Sequence, residues 1–168
     1  MIKRKEILVG LGITIAVIGG YLAYQYSQLM KYTLGIKGID RLSANTNKLS
    51  FDAYLSFQNN SSLQIALAYQ NYKVYLNNTF ISEIDTKTPQ LISPNGSSVL
   101  KFSVDLSPSD LIKKLGLASL QNLLNIKKQN LKVVTKMGVK FLGFTFPVNV
   151  TIEDTIENWI APTPTPTK

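Results

Sequence analysis

Residues 49–58 read LSFDAYLSFQ and show the clearest two-residue alternation in the chain. Apolar residues occupy every odd position, and polar or amphipathic residues occupy every even one. Successive side chains of a β-strand point to opposite faces, so this alternation predicts a strand with one buried face and one wet face. Residues 59–62 (NNSS) end the strand, because asparagine and serine side chains bond to their own backbone and tolerate turn geometry.

Similar alternation lies on both sides of this strand. Residues 31–40 predict an earlier strand, and the polar residues 43–48 (SANTNK) predict the turn between the two. Residues 63–76 predict a third strand, whose apolar positions change parity near Gln70 and Asn71. Such a change needs an extra residue, so it predicts a bulge or a bend between two sheets.

The chain continues with short strands separated by turns. A turn is predicted at residues 77–78 (NN), a loop at residues 86–98, which contain two prolines and a glycine, and a turn at Gly143. The strands that they separate are expected at residues 79–85, 99–106, 131–141 and 144–152.

One helix interrupts the strands. Ser107, Pro108 and Asp110 are typical of a helix start, because they supply a hydroxyl cap, a proline in the first turn and an acid near the free N–H groups. Leucines at helical spacing continue to about Asn125, with Gly116 as a weak point. Seven short strands with one interposed helix predict a mainly β, antiparallel sandwich.

An uncharged run precedes the first strand. Residues 7–30 begin ILVGLGITIAVIGGYLAY, and as a helix they reach about 36 Å, enough to cross a hydrocarbon core of about 30 Å. The sequence therefore predicts a single N-terminal transmembrane helix. The side chains expected to form this membrane anchor include Ile7, Leu11, Ile15, Ile18, Leu22 and Tyr24.

The flanks of the run predict its orientation. Residues 3–5 (KRK) indicate a cytoplasmic N-terminus, with the domain on the far side of the membrane. Tyr21, Tyr24 and Tyr26 lie at the opposite end, where aromatic rings with polar tips suit the headgroup layer. The alternatives are a cleaved signal peptide, which would have a shorter apolar region and small residues at its cleavage site, and a buried core helix.

Small residues recur every four positions within the run, at Gly12, Ala16 and Gly20. Such a stripe lets two membrane helices pack closely, so self-association through the anchor is one hypothesis. The alternative is that glycine and alanine are simply common in membrane helices. Three regions result: residues 1–30 as stub and anchor, 31–160 as the sandwich, closed by Trp159 and Ile160, and 161–168 (APTPTPTK) as an extended tail.

Composition argues against catalysis. The chain has neither cysteine nor histidine, which excludes thiol nucleophiles, cysteine-linked lipid, disulfides, structural zinc clusters and the usual neutral-pH base. We therefore expect no enzyme activity, no cofactor and no metal. The carboxylates at residues 153–157 and 83–85, the latter with Lys87, are interpreted as a solvated strand end and a surface charge ladder. Their alternatives are a cation site and an acid/base pair.

The net charge of +8 is uneven, because no acidic residue occurs between Asp110 and Glu153. This segment could face anionic headgroups or, less favoured, nucleic acid, and the alternative is an ordinary solvated lysine face. The lysines of this predicted basic surface are Lys113, Lys114, Lys127, Lys128, Lys132, Lys136 and Lys140.

Four stretches of the chain resemble the late embryogenesis abundant (LEA) type 2 family, also called the water-stress and hypersensitive-response (WHy) domain. The resemblance covers roughly residues 32–153, and it implies an immunoglobulin- or fibronectin-like sandwich without catalytic residues. The chain departs from the family at Asn60, where proline is usual, and at Asn78, where glycine is usual. The stretches are LSFDAYLSFQNNSS (49–62), YKVYLNNTFIS (72–82), LISPNGSSVLKFSVDL (91–106) and GVKFLGFTFPVNV (138–150).

These features favour a non-enzymatic, membrane-anchored structural or binding protein that presents a β-sandwich at a membrane surface. Its expected partners are the bilayer and other proteins. A second hypothesis is a virion protein that links the internal membrane of a bacteriophage to its capsid proteins. A third is a lipid-binding domain, in which the leucine-rich helix covers an apolar cavity beside lysines that attract anionic lipid.

Overall fold

The computed structural model describes residues 20–21, 23–28, 31–141 and 143–160. In this part of the chain, eight strands and three helical elements follow a short N-terminal helical stretch, of which residues 20–21 and 23–28 are described. The strands are β1 (Tyr32–Asn45), β2 (Lys48–Asn59), β3 (Ile65–Leu76), β4 (Thr79–Thr86), β5 (Gln90–Ile92), β6 (Ser97–Leu106), β7 (Asn130–Phe141) and β8 (Phe144–Thr155). The helical elements are α1 (Pro108–Leu115), a 3₁₀ segment (Leu117–Lys128) and α2 (Ile156–Ile160).

The strands form two sheets that enclose one core. The first sheet has the order β1-β2-β6, and the second has the order β4-β3-β7-β8, with β5 also paired to β3. Every pairing is antiparallel. The predicted antiparallel β-sandwich is confirmed, although the predicted loop at residues 86–98 contains the unpredicted strand β5.

The core follows the alternation of the sequence. In β2 the odd positions from Leu49 to Phe57 are all buried, as predicted. Across the core, the ring of Tyr72 in β3 stacks on Phe102 in β6 at a centroid distance of 4.7 Å. This contact joins the two sheets, and burial of such side chains stabilises the fold by about 2 kcal/mol each.

Two strand predictions need correction. Strand β1 runs to Asn45 rather than ending at residue 40, and it absorbs polar residues through register shifts between Ile36 and Gly38 and between Asp40 and Ser43. In β3 the parity changes between Leu67 and Tyr69, before the predicted position, and the strand stays in one sheet.

The register shift of β3 occurs where this strand contacts β7. The Tyr69 ring lies against Gly138 of β7, where it fills the space that a Cβ atom would need. The extra residue therefore turns Tyr69 outward and Gln70 inward, and the next positions, Tyr72 and Val74, remain buried.

The predicted helix is shorter than expected. Ser107 caps α1 as predicted, and Asp110 adds a bond that was not predicted, since its carboxylate accepts from the Ser107 backbone N–H. Gly116 has φ +75°, in the left-handed region, so the α-helix ends there and the chain continues as the 3₁₀ segment. Helix α2 was not predicted, but its residue Trp159 is fully buried and closes the core as expected.

The sandwich has two ends of different composition. The distal end carries α1, the 3₁₀ segment, α2 and the β1–β2 and β3–β4 turns, because β6 ends and β7 begins there. The proximal end carries the start of β1, the end of β2, strand β5 and the β7–β8 turn. The chain enters the sandwich at the proximal end, after the N-terminal helical stretch.

Candidate functional site

The proximal end is where the N-terminal helical stretch meets the sandwich. The Lys31 N–H donates to the Gln28 carbonyl oxygen at 3.0 Å, and β1 begins at the next residue. The Tyr26 ring meets the Phe146 ring of β8 edge-on, with centroids 6.0 Å apart. The helical stretch therefore contacts the domain directly, with a turn of only a few residues between them.

In this helical stretch the glutamine side chains are buried and the tyrosine side chains are exposed. The amides of Gln25 and Gln28 are buried, whereas Tyr21, Tyr24 and Tyr26 are each more than half exposed. A helix on a protein in water normally buries its aromatic side chains and exposes its glutamines. The arrangement suits surroundings less polar than water, such as the headgroup layer, where tyrosine is favoured.

Two apolar side chains stand out from the proximal end. Leu91 is 72% exposed, because β5 points its neighbour Ile92 into the core and Leu91 away from it. Phe144 is 70% exposed, because it follows Gly143, whose φ of +84° makes the β7–β8 turn. Leu91 lies on the outer face of the five-stranded sheet, in line with Lys140, whereas Phe144 has the parity of the inward-facing Val148 and lies beyond the core. Both side chains are therefore exposed at the same end of the molecule, on different faces of the sheet.

The charge of the proximal end has one sign. Its four chain segments, residues 20–34, 59–65, 87–98 and 138–147, contain no aspartate or glutamate. They contain three lysines, and Lys140 lies beside the β5 end of the sheet because it pairs with Ala66, which pairs in turn with Leu91. The three lysines are Lys31, Lys87 and Lys140.

A polar knot around Asn59 closes the gap between the sheets at this end. The fully buried amide Nδ2 of Asn59 donates to the carbonyl oxygens of Leu63 (2.7 Å) and Ser93 (3.0 Å). Its Oδ1 accepts from the backbone N–H (3.0 Å) and the hydroxyl (2.7 Å) of Ser61. These bonds satisfy loop backbone groups that no strand pairs, so the role of the knot is structural.

The two departures from the LEA type 2 pattern fit this structure. The Asn60 N–H donates to the Lys31 carbonyl oxygen at 2.8 Å, a bond that proline could not make. Asn78 has φ +66°, in the left-handed region that asparagine tolerates. Neither departure therefore disturbs its turn.

A second buried polar group lies on the outer face of the three-stranded sheet. Asp52 accepts from the Ser103 hydroxyl at 2.6 Å, from Lys101 at 2.9 Å and from the Arg41 guanidinium, whose Nε lies at 2.7 Å. Arg41 reaches it from the β1 bulge, where its own φ is +52°. The bonds from Ser103, Lys101 and Arg41 hold the pKa of Asp52 far below its usual value, although burial opposes them.

A depression of about 320 Å³ lies beside Asp52, lined by residues of both signs that include Arg41, Lys48, Asp52 and Asp105. Because Asp52 stays ionised and uses its oxygens in these bonds, it cannot exchange a proton near neutral pH. The cluster therefore ties β1, β2 and β6 together. The sequence analysis did not predict it, although a single aspartate among the otherwise uncharged residues 49–58 was a signal.

The seven predicted basic-surface lysines fall into three groups. Lys113 and Lys114 lie on α1, Lys127 and Lys128 end the 3₁₀ segment, and Lys132, Lys136 and Lys140 lie on the outer face of β7. On that face the lysines alternate with acidic and neutral neighbours. Lys132 pairs with Glu153 in register and donates to the Asn78 side chain at 2.8 Å.

The carboxylates at residues 83–85 also belong to the outer face of the five-stranded sheet. The Asn71 amide donates to Glu83 and to Asp85, each at 2.8 Å. The cation nearest Glu83 is Lys73, at 3.8 Å, rather than the expected Lys87. No group of three potential metal ligands occurs within the described ranges.

Most predicted anchor residues lie outside the described residues. These are Ile7, Leu11, Ile15, Ile18 and Leu22, together with Gly12 and Ala16 of the small-residue stripe. Tyr24 and Gly20 are described, and both are helical and exposed. Within the described part of the chain, no helix is both long and apolar enough to cross a membrane.

No family model and no curated protein sequence matches the chain. Among solved structures it is similar to AT1g01470 from Arabidopsis thaliana, at 14% identity and a TM-score of 0.51, over 73% of this chain and 80% of that one. It is also similar to a protein from Archaeoglobus fulgidus, at 16% identity and a TM-score of 0.47, over 75% of this chain and 94% of that one. A further similar structure is At2g46140.1, described as a LEA protein, at 14% identity and a TM-score of 0.42, over 93% of this chain and 90% of that one. The similarity to AT1g01470 supports the β-sandwich fold, and at this identity it carries no function.

Proposed function

We propose that this chain is a non-enzymatic, single-pass membrane protein that holds a β-sandwich at a bilayer surface and presents it to other proteins. One observation carries the proposal. Among the described residues, every buried apolar side chain lies between Leu49 and Trp159, and residues 20–21 and 23–28 of the helical stretch add none. The described part of the run, residues 20–21 and 23–28, therefore adds no apolar side chain to the core, and the length and lack of charge of residues 7–30 suit a membrane span.

The lack of enzyme activity is part of the proposal. The buried carboxylate of Asp52 is bound by three donors, and the buried hydroxyl of Tyr72 donates to Gln70 at 3.0 Å while burial raises its pKa. Both groups are thus fixed in one protonation state near neutral pH, whereas general acid–base catalysis needs a group poised to change it. We assign both groups to the stability of the sandwich.

Membership of the LEA type 2 family, with an immunoglobulin- or fibronectin-like topology, is a finer proposal. Its support is that each of the four resembling stretches contains a turn or loop together with parts of the strands beside it. They fall in β2 with its knot, the β3–β4 hairpin, β5 with β6, and the β7–β8 hairpin. The matched segments are thus the turns and strands that define the two sheets.

Deletion of residues 1–30 tests the anchor. The fragment from Lys31 onward should be soluble without detergent and should give a β-type circular dichroism spectrum, whereas the full chain should stay with membranes through alkaline carbonate extraction. Full chain released by carbonate, or a disordered fragment, would refute the proposal. Photo-crosslinking from exposed distal residues in intact membranes would then identify the partner proteins and show whether capsid proteins are among them.

A further inference from the structure

We propose that the proximal end of the sandwich rests on the headgroup layer of the bilayer, with Leu91 and Phe144 reaching into that layer. The inference rests on the proposed function, because it takes residues 7–30 as an anchor in the same bilayer. It adds an orientation: one end of the domain touches lipid, and the other end faces away from the membrane.

The short connection favours this contact. Three residues separate Gln28 from Tyr32, so even a fully extended connection would span at most about 14 Å. The Lys31 N–H donates to the Gln28 carbonyl oxygen at 3.0 Å, so these two residues lie close together, and the Tyr26 ring meets Phe146 on the domain. A sandwich held this way cannot move far from the end of its anchor.

Exposed apolar residues alone do not distinguish the two ends. At the distal end, Leu117 and Leu124 are 71% and 69% exposed, which matches Leu91 and Phe144. Isolated exposed leucines are ordinary on protein surfaces. Charge makes the distinction, because a membrane surface with anionic lipids attracts lysine and repels carboxylates.

The two ends differ in their net charge and also in whether they contain acidic residues. The distal segments, residues 43–50, 75–80, 104–130 and 152–160, contain five lysines and five acidic residues, so their charges cancel. The proximal segments contain three lysines and no acid. The proximal end therefore combines apolar tips with uncompensated positive charge, as a headgroup contact requires.

The helical stretch supports the same orientation. Its tyrosines are each more than half exposed, Tyr26 included although one edge of its ring meets Phe146, and its glutamines Gln25 and Gln28 are buried. If this stretch lay in bulk water, the opposite arrangement would be expected. The tyrosines, Leu91 and Phe144 then lie in one layer around the point where the chain leaves the membrane.

The absence of cysteine allows a direct test on the full chain. Single-cysteine variants Leu91→Cys and Phe144→Cys are compared with the equally exposed controls Leu117→Cys and Leu124→Cys. Each variant is labelled with an environment-sensitive fluorophore and reconstituted in vesicles of equal parts phosphatidylcholine and phosphatidylglycerol. Quenching by a lipid that carries a nitroxide near its headgroup then reports contact with that layer.

We expect several-fold stronger quenching at residues 91 and 144 than at 117 and 124, and weaker quenching at 91 and 144 when phosphatidylglycerol is omitted. Equal quenching at all four sites, or none at 91 and 144 in protein that resists carbonate extraction, would overturn the orientation while leaving the anchor intact. Protein that fails to insert at all would instead refute the proposed function. All four positions are exposed, so the substitutions leave the core unchanged, and circular dichroism checks this.

Discussion

The two ends of the sandwich are closed by different means. At the distal end, α1, the 3₁₀ segment and α2 place Leu111, Leu123 and Trp159 in the core. At the proximal end, the polar knot of Asn59 closes the gap, and apolar tips remain exposed beyond it. The chain thus completes one end with its own apolar residues. The other end is closed by hydrogen bonds and, in our proposal, is covered by lipid.

The strongest test of the distal closure is Trp159→Ala, measured by urea unfolding of the fragment from Lys31 onward. Trp159 is fully buried, so we expect a loss of about 4 kcal/mol from the free energy of unfolding. The matched control is Ile160→Ala in the same short helix, where partial exposure should limit the loss to less than about 1 kcal/mol. Equal losses would show that α2 does not cover the core.

The proximal closure is tested by Asn59→Ala, for which we expect a loss of about 3 kcal/mol. The reason is that the substitution removes all the bonds of the fully buried Asn59 side chain and leaves the buried N–H of Ser61 without its acceptor. Asn60→Ala is the control, since its exposed amide donates only to the Thr33 hydroxyl, at 2.9 Å, and it should cost about 1 kcal/mol or less. A neutral Asn59→Ala would mean that the knot does not hold this end closed.

Alternation along the strands made most of the sandwich predictable. The odd positions of residues 49–58 fixed which face is buried, and the same logic located β4, β6, β7 and β8 within a few residues. The turns at Gly143 and at Asn77–Asn78 were predicted from their residue types, and the structure confirms them. All three residues have positive φ, which glycine and asparagine tolerate. Each of these features depends on residues that are neighbours in the sequence, so each strand or turn could be predicted from its own segment of the chain.

Features that depend on distant partners were missed or misplaced. Strand β5 is three residues long and exists because it pairs with β3, so it has no period of its own. The bulge in β3 was predicted at the wrong position, because a tyrosine can lie on either face of a strand. The face that Tyr69 takes depends on its contact with Gly138. The burial of Asp52 likewise depends on Arg41, which the β1 bulge turns toward it. Such contacts leave no periodic mark in the sequence.

Asp52 is charged, whereas the side chains around Asn59 are neutral. Of the two, only the contribution of Asp52 to the free energy of unfolding should therefore depend on pH. The pKa of Asp52 is lowered in the folded chain, so the unfolded chain binds the proton first as pH falls. Its stabilisation is therefore present above about pH 4, the ordinary aspartate pKa, and is lost as pH falls below it. At neutral pH, Asp52→Asn should cost about 2 kcal/mol and should remove part of the acid sensitivity.

The control for this prediction is Asp105→Asn, because Asp105 is largely exposed and its nearest cation, Lys48, lies 3.6 Å away. Such an exposed pair should contribute less than about 1 kcal/mol. Urea unfolding of the fragment at neutral pH and at pH values below the aspartate pKa measures both variants. If Asp52→Asn retained the full acid dependence of the unsubstituted fragment, the Asp52 cluster would not be its source.

The smallest effect on folding is expected from the double variant Leu91→Ser, Phe144→Ser, which should change the free energy of unfolding of the fragment by less than about 0.5 kcal/mol. Both side chains are mostly exposed, so the sandwich gains little from them in water. A loss near that of Asn59→Ala would show that these side chains close the proximal end themselves. A near-zero loss would mean that these apolar groups are not required for folding, and vesicle quenching of the full chain then decides whether lipid is what they contact.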